Sequence, residues 1–215
     1  MDRFYNEEYM IIDLKYLIDK YKLKIDGIIH IGAHYGQEHM IYRQLGINKI
    51  IYFEPIKSNF DILAKNINDE AIIVNTAVGS YTGVCTMFVD TTNNGMSSSV
   101  LEPKVHLKMF PNVIFGSREK VPIITLNDYF NTQNIQNIYN MINIDVQGYE
   151  LEVFKGATNI LHSINYIYTE INNDELYKDC VLIDELDKFL INYNFIRRET
   201  NWAGGNWGDA LYIKN

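Results

Sequence analysis

Three acidic residues each close or nearly close a short apolar run: Glu54 in KIIYFE, Asp145 in MINID and Glu170 in INYIYTE. Two glycines, Gly32 and Gly36, follow a fourth such run in IHIGAHYGQE, residues 29–38. In an open parallel sheet, ligands bind beyond the carboxyl ends of the strands, where the strand order reverses. Acids and glycines at those ends would therefore share one crevice. Glycine permits positive φ and close backbone approach, and a following helix N-terminus offers free N–H groups. Glu54 stands 18 residues after Gly36, where a carboxylate accepts both hydrogen bonds of a ribose diol. A tight strand–helix turn beside one surface glutamate would give the same letters. The glycine pair alone is a weak signal, and the Glu54 offset together with β-α-β order favours a nucleoside.

Two cofactor classes fit, a nicotinamide dinucleotide and S-adenosylmethionine. A dinucleotide needs GxGxxG, whose second glycine makes room for the pyrophosphate. In GAHYG that place is His34, so the steric condition fails. S-adenosylmethionine carries no phosphate, and we favour it. An NAD-type oxidoreductase and a non-catalytic cofactor-binding protein are the alternatives.

The elements that must position these residues are legible from periodicity. Residues 7–22 show helical spacing (Met10, Ile11, Leu14, Leu17, Ile18, Tyr21). DGIIHIG is a buried strand, 36–45 a helix stopped at Gly46, and NKIIYFEP a second strand. Ser58 and Asp61 form a capping-box pattern opening helix 59–67, and AIIVNTAVG is a third strand. This β-α-β-α-β order implies a parallel sheet with right-handed crossovers and helices on both faces. VCTMFVD and VPIITL read as strands around an irregular stretch, so residues 84–126 form an insertion after the third strand and a candidate substrate lid. YNMINID, a helix from Tyr149, INYIYTEI and a helix over 181–193 follow, and FIRRET with ALYIK closes the chain as an antiparallel pair.

The 215 residues suit a single α/β domain over 1–215, with its N-terminal helix within 1–24. A formal charge of −8 argues against a nucleic-acid partner. Cys85 and Cys180 are far apart with no CxxC, so a reducing, cytoplasmic setting is expected, and no apolar run suits membrane insertion.

The motifs, taken together, resemble the FkbM-type family of class I methyltransferases. IHIGAHYGQE, IYFEP, NTAVGSYTG, SSSV, VPIITLNDY, INIDVQGYELEVFKGA, IYTEI and GDALYI follow the family's order from about Asp26 to Ile213. INIDVQGYELEVFKGA is the most specific of them. The resemblance implies a Rossmann-like sheet and S-adenosylmethionine-dependent O-methyl transfer to a small acceptor, typically a hydroxyl of a sugar or glycan precursor. It implies that Gly32, Ala33 and Gly36 shape the cofactor loop, that Glu54 holds the ribose, and that Thr76, Ala77 and Val78 lie near the adenine. We add His30, His34 and Pro55 to the cofactor set. The family's usual first-motif acid, which helps place the methionine ammonium, is His30 here; the lysine often found before the fourth-motif aspartate is Asn143, and Asn127 replaces a frequent aspartate.

Methyl transfer from a sulfonium is an in-line displacement, and alignment is the main task. A base assists an alcohol by roughly 10²–10⁴ in rate. Asp145 is the first candidate base, with Glu170 assisting or orienting. Mg2+ held by Asp145 and Glu170 is the rival explanation, because it would acidify the hydroxyl. Ser98, Ser99, Gln147, Glu150, Trp202 and Trp207 are acceptor-side candidates: the tryptophans could stack on a sugar ring, and Glu150 in the first turn of a helix has an equal structural reading. Arg118 and Lys120 could meet the diphosphate of a nucleotide sugar.

Overall fold

The computed structural model describes residues 10–67, 71–133, 135 and 138–215. Ten strands are described: β1 (Ile28–Ile31), β2 (Ile50–Phe53), β3 (Ile72–Val74), β4 (Ala77–Val78), β5 (Gly83–Val89), β6 (Ser117–Ile124), β7 (Met141–Ile144), β8 (Tyr166–Asn172), β9 (Phe195–Ala203) and β10 (Trp207–Lys214). The α-helices are α1 (Leu14–Tyr21), α2 (His39–Gln44), α3 (Lys57–Asn66), α4 (His106–Met109), α5 (Leu126–Gln133), α6 (Glu150–Lys155) and α7 (Ile183–Leu190).

Seven strands form the main sheet in the order β3-β2-β1-β7-β8-β10-β9. The first five run parallel, and β10 is antiparallel to both its neighbours. The order reverses between β1 and β7, so their carboxyl ends open a crevice. The strands β1, β2 and β7 are wholly buried, mostly apolar runs, as expected of strands covered on both faces. Side-chain alternation splits the core in two. Ile29, Ile31, Ile51, Phe53, Ile142 and Ile144 pack with α5 and α6. Ile28, Ile50, Tyr52 and Met141 pack with α1, Tyr42 and Leu63 on the opposite face. His30 belongs to this second face by register, and its ring lies 5.5 Å from that of Tyr52.

Several elements depart from the sequence expectation. The N-terminal helix begins at Leu14, because Asp13 caps it by accepting the Tyr16 N–H at 2.6 Å; residues 7–9 of the expected span lie outside the described residues. The expected capping box at Ser58 and Asp61 does not form: α3 starts at Lys57, placing Ser58 inside the helix, and Lys57 pairs with Asp61 instead. The third strand divides after Val74. Asn75 Nδ2 donates to the Glu54 and Pro55 carbonyls at 2.8 and 3.0 Å, turning the chain out of the main sheet, so that Ala77–Val78 joins β6. A small second sheet, β4-β6-β5, results, with β5 and β6 antiparallel and enclosing residues 90–116. Helix α5 was not expected, although Leu126, Tyr129 and Phe130 have helical spacing and are buried. Both cysteines are buried and free. No helix among the described residues is long and apolar enough to cross a membrane.

Candidate active site

A cleft of about 400 Å³ opens at the carboxyl ends of β1, β2, β7 and β8, roofed by residues of the 90–116 segment. The loop after β1 forms its floor. Gly32 has φ +80°, and a Cβ there would stand 1.8 Å from the Asp145 carbonyl oxygen, so the loop passes against β7 only because this residue is glycine. Gly36, at φ +74°, faces Leu63 of α3 and does not line the cleft; its role is packing rather than contact with a ligand.

Glu54 is fixed from both sides. Its Oε2 accepts the His34 backbone N–H and its Oε1 the Ile56 N–H, each at 2.8 Å. Burial pushes its carboxyl up to about 8, against the pull of these two bonds. His34 itself has φ +48°. Its Nδ1 lies 2.7 Å from Gln37 Nε2 and its Nε2 2.8 Å from the Asn94 carbonyl, so the neutral ring ties the loop to the 90–116 segment. Ala33, Pro55, Thr76, Ala77 and Val78 line the same end of the cleft.

His30 faces the cleft as a neutral ring, its pKa lowered to about 3 by burial. Asn143 Nδ2 donates to the Tyr42 hydroxyl at 2.6 Å, and that hydroxyl lies 3.3 Å from His30 Nδ1. Tyr42 thus links Asn143 to the His30 ring. As a neutral ring, His30 supplies no negative charge where the family's first-motif acid would stand. The acids on this side are Glu38 and Asp209, both in the cleft wall and both raised to about 7, chiefly by burial. Sequence reasoning missed both. Glu38 follows the glycine motif directly, and only its burial distinguishes it from a surface residue at a helix start. Asp209 becomes visible only when β10 is seen to pair it with Glu170.

Asp145 and Glu170 face each other across the other end of the cleft. Gln147, at φ +54°, donates from Nε2 to Asp145 Oδ1 and to Glu170 Oε2, each at 2.8 Å. Its Oε1 lies 2.8 Å from the Tyr177 hydroxyl. Asp145 reaches water in the cleft, yet protein atoms crowd it and raise its pKa; the Gln147 bond opposes that rise. Glu170 is raised well above the carboxylate range, first by burial and then by the charges of Asp145 and Glu150.

The acceptor-side candidates divide. Gln147, Ser98 and Trp207 line the cleft. The Ser98 hydroxyl accepts the Asp90 N–H at 3.0 Å, so it is already engaged. Ser99 is fully buried outside the cleft and donates to the Gln147 carbonyl at 2.8 Å. Glu150 is also fully buried, behind the turn, where Oε1 accepts the Val146 and Gly148 N–H groups at 3.2 and 3.1 Å. Trp202 lies on the edge strand β9, 37% exposed and away from the cleft. Arg118 sits over the Phe88 ring in the small sheet, and neither it nor Lys120 lines the cleft. Among the described residues, five carboxylates line the cleft (Glu38, Glu54, Asp145, Glu170, Asp209) and no Lys or Arg does. A diphosphate therefore finds no cation from Arg118 or Lys120.

The sheet order, the crevice at its switch point and the anchored acid after β2 define a Rossmann-like methyltransferase fold. Solved structures agree on the fold. A magnesium protoporphyrin IX methyltransferase from Synechocystis superposes with TM-score 0.52 at 6% identity, over 94% of this chain and 76% of that one. A putative tRNA methyltransferase from Streptococcus pneumoniae gives 0.52 at 10% identity, over 96% and 74%. The Methyltransferase FkbM domain profile matches residues 30–197, and the chain belongs to that family. Among curated relatives, the 2-O-methyltransferase NoeI of Sinorhizobium fredii is 34% identical over 116 residues, 54% of this chain and 46% of that protein. The hexuronic acid methyltransferase AglP of Haloferax volcanii is 52% identical over 66 residues, 31% of this chain and 28% of that protein. The matches thus span less than half the length of either relative.

Proposed function

We propose that the chain is an S-adenosylmethionine-dependent O-methyltransferase acting on a hydroxyl of a small acceptor, a sugar or glycan precursor. The observation that carries this is the pairing of an anchored acid, Glu54, at one end of the cleft with the Asp145–Gln147–Glu170 group at the other. Glu54 retains lone pairs for the ribose diol beside its two N–H bonds. Ala33, Pro55, Thr76, Ala77 and Val78 surround the nucleoside. The methionine ammonium meets Glu38 and Asp209, which replace the missing first-motif acid, and the neutral His30 ring lines the same end of the cleft. Asp145 takes the acceptor proton, and Glu170, held by the same amide, orients the hydroxyl. NoeI and AglP, by their names, methylate a 2-O position and a hexuronic acid, which supports a carbohydrate acceptor here.

The chain forms a single methyltransferase domain in this reading, and the 84–126 insertion acts as the lid over the acceptor. Trp207 offers a face for a sugar ring, and the partner is a small molecule rather than nucleic acid, in a cytoplasmic setting. Incubation with methyl-labelled cofactor and a panel of free, nucleotide-linked and lipid-linked sugars tests this. Label transferred to a sugar hydroxyl is the expected outcome; no transfer to any of the panel, with cofactor bound, favours a non-catalytic binding protein.

A further inference from the structure

Asp145, Glu150 and Glu170 each bring one carboxylate oxygen into a group whose members all lie within 4.8 Å of one another. Protein N–H groups anchor all three carboxylates, and Asp145 and Glu170 are also hydrogen-bonded to each other. Gln147 holds Asp145 Oδ1 and Glu170 Oε2, and the backbone of Val146 and Gly148 holds Glu150 Oε1. The second oxygen of Glu150, Oε2, is buried with no hydrogen-bond partner. An orphaned oxygen on a fully buried carboxylate is rare in a native fold and calls for a partner.

We infer that Asp145, Glu150 and Glu170 form a binding site for one hard divalent cation at the floor of the acceptor end of the cleft. The donor set is oxygen only, which suits Mg2+, Mn2+ or Ca2+ over thiolate- or imidazole-seeking metals. Metal–oxygen bonds of about 2.1–2.4 Å place opposite ligands roughly 4.2–4.8 Å apart, so the cluster closes on an ion with little movement. Asp145, open to the cleft, supplies the entry path, and Glu150 and Glu170 form the closed back wall. Three protein oxygens leave positions for water and for an acceptor oxygen. Glu150 thereby acquires a purpose beyond holding its turn.

The consequence rests on the methyltransferase reading. An acceptor hydroxyl beside the ion is acidified. Its proton passes to an oxygen of Asp145, the oxygen–methyl bond forms, and the methyl–sulfur bond breaks with its electron pair staying on sulfur.

The test is a Mn2+ titration followed by electron paramagnetic resonance, on wild type, Glu150→Gln and Asp145→Asn, with and without S-adenosylhomocysteine. One Mn2+ per chain, displaceable by Mg2+, is expected for wild type, with affinity lowered at least tenfold in both variants. S-adenosylhomocysteine affinity of Glu150→Gln is expected to stay within about twofold of wild type. Without metal, Glu150→Gln is expected to melt no lower than wild type, since it removes an unpartnered buried carboxylate. If it melts lower, Asp145→Asn, at an exposed position, decides alone. Absence of stoichiometric Mn2+ in wild type, or undiminished binding in the deciding variant, overturns the site. Mn2+ binding without S-adenosylhomocysteine binding supports the ion site and overturns the cofactor reading; the reverse pattern overturns only the ion site.

Discussion

The backbone N–H of His34 donates to Glu54 Oε2 at 2.8 Å, joining the loop after β1 to the end of β2. The side chain of His34 takes no part in that bond. The acid is thus aimed before any ligand arrives. Glu54→Gln exchanges a carboxyl whose two oxygens each accept a backbone N–H for an amide that must turn its own N–H toward one of those donors. A buried donor left unpaired costs about 1–3 kcal/mol, so S-adenosylhomocysteine should bind roughly 10–100-fold more weakly. Calorimetry on the variant checks this, and unchanged affinity would remove Glu54 from the cofactor site.

Gly32 is a test of the backbone rather than of the ligand. Gly32→Ala places a methyl group 1.8 Å from the Asp145 carbonyl at φ +80°. Strain of this kind costs at least ~2 kcal/mol. Thermal unfolding should show a clear loss, while Gly46→Ala, with nothing within 4 Å of its added Cβ, should lose less from its positive φ alone.

At the reacting end, Asp145→Asn should lower kcat by roughly 10²–10⁴ with S-adenosylhomocysteine affinity retained. Gln147→Leu removes the amide that opposes the raised pKa of Asp145. The acid limb of its pH–rate profile should therefore move to higher pH. A limb that stays in place would show that Asp145 ionisation does not control the rate.

Stability and cofactor affinity should depend on pH in opposite senses. Burial raises Glu54 from its ordinary 4.5 to about 8, and Glu38 and Asp209 to about 7. Between these values the unfolded chain has lost protons that the folded chain retains, so folding stability falls as pH rises from about 4.5 to about 8. The melting temperature of the ligand-free protein should decline over that window. S-adenosylhomocysteine carries an ammonium, and ionised Glu38 and Asp209 attract it, so its affinity should rise as pH passes about 7. Glu38→Gln should blunt that rise.

Much of this was legible in the sequence because burial on both faces leaves continuous apolar runs, and strand ends then follow from the first polar residue. Glu54 was found that way, while Asp145 and Glu170 were read as the acids closing or nearly closing runs that Asn143 and Thr169 already interrupt. The branching of the third strand was not, since it depends on the Asn75 amide reaching back to the Glu54 and Pro55 carbonyls. Trp202 and Trp207 look alike in NWAGGNWGD, yet one begins β10 over the cleft and the other sits on edge strand β9. Ser99 and Glu150 carry reactive groups, but hydrogen bonds to a distant or neighbouring backbone engage the Ser99 hydroxyl and Glu150 Oε1. Such partners are set by tertiary contact and leave no local spacing to read.

The central claim is a sulfonium-nucleoside site closed by Glu54, and the most direct measurement is calorimetry of the purified chain against S-adenosylhomocysteine and NAD in parallel. One S-adenosylhomocysteine per chain, with NAD giving no saturable heat, is the expected result. No affinity for S-adenosylhomocysteine, or preference for NAD, would contradict it.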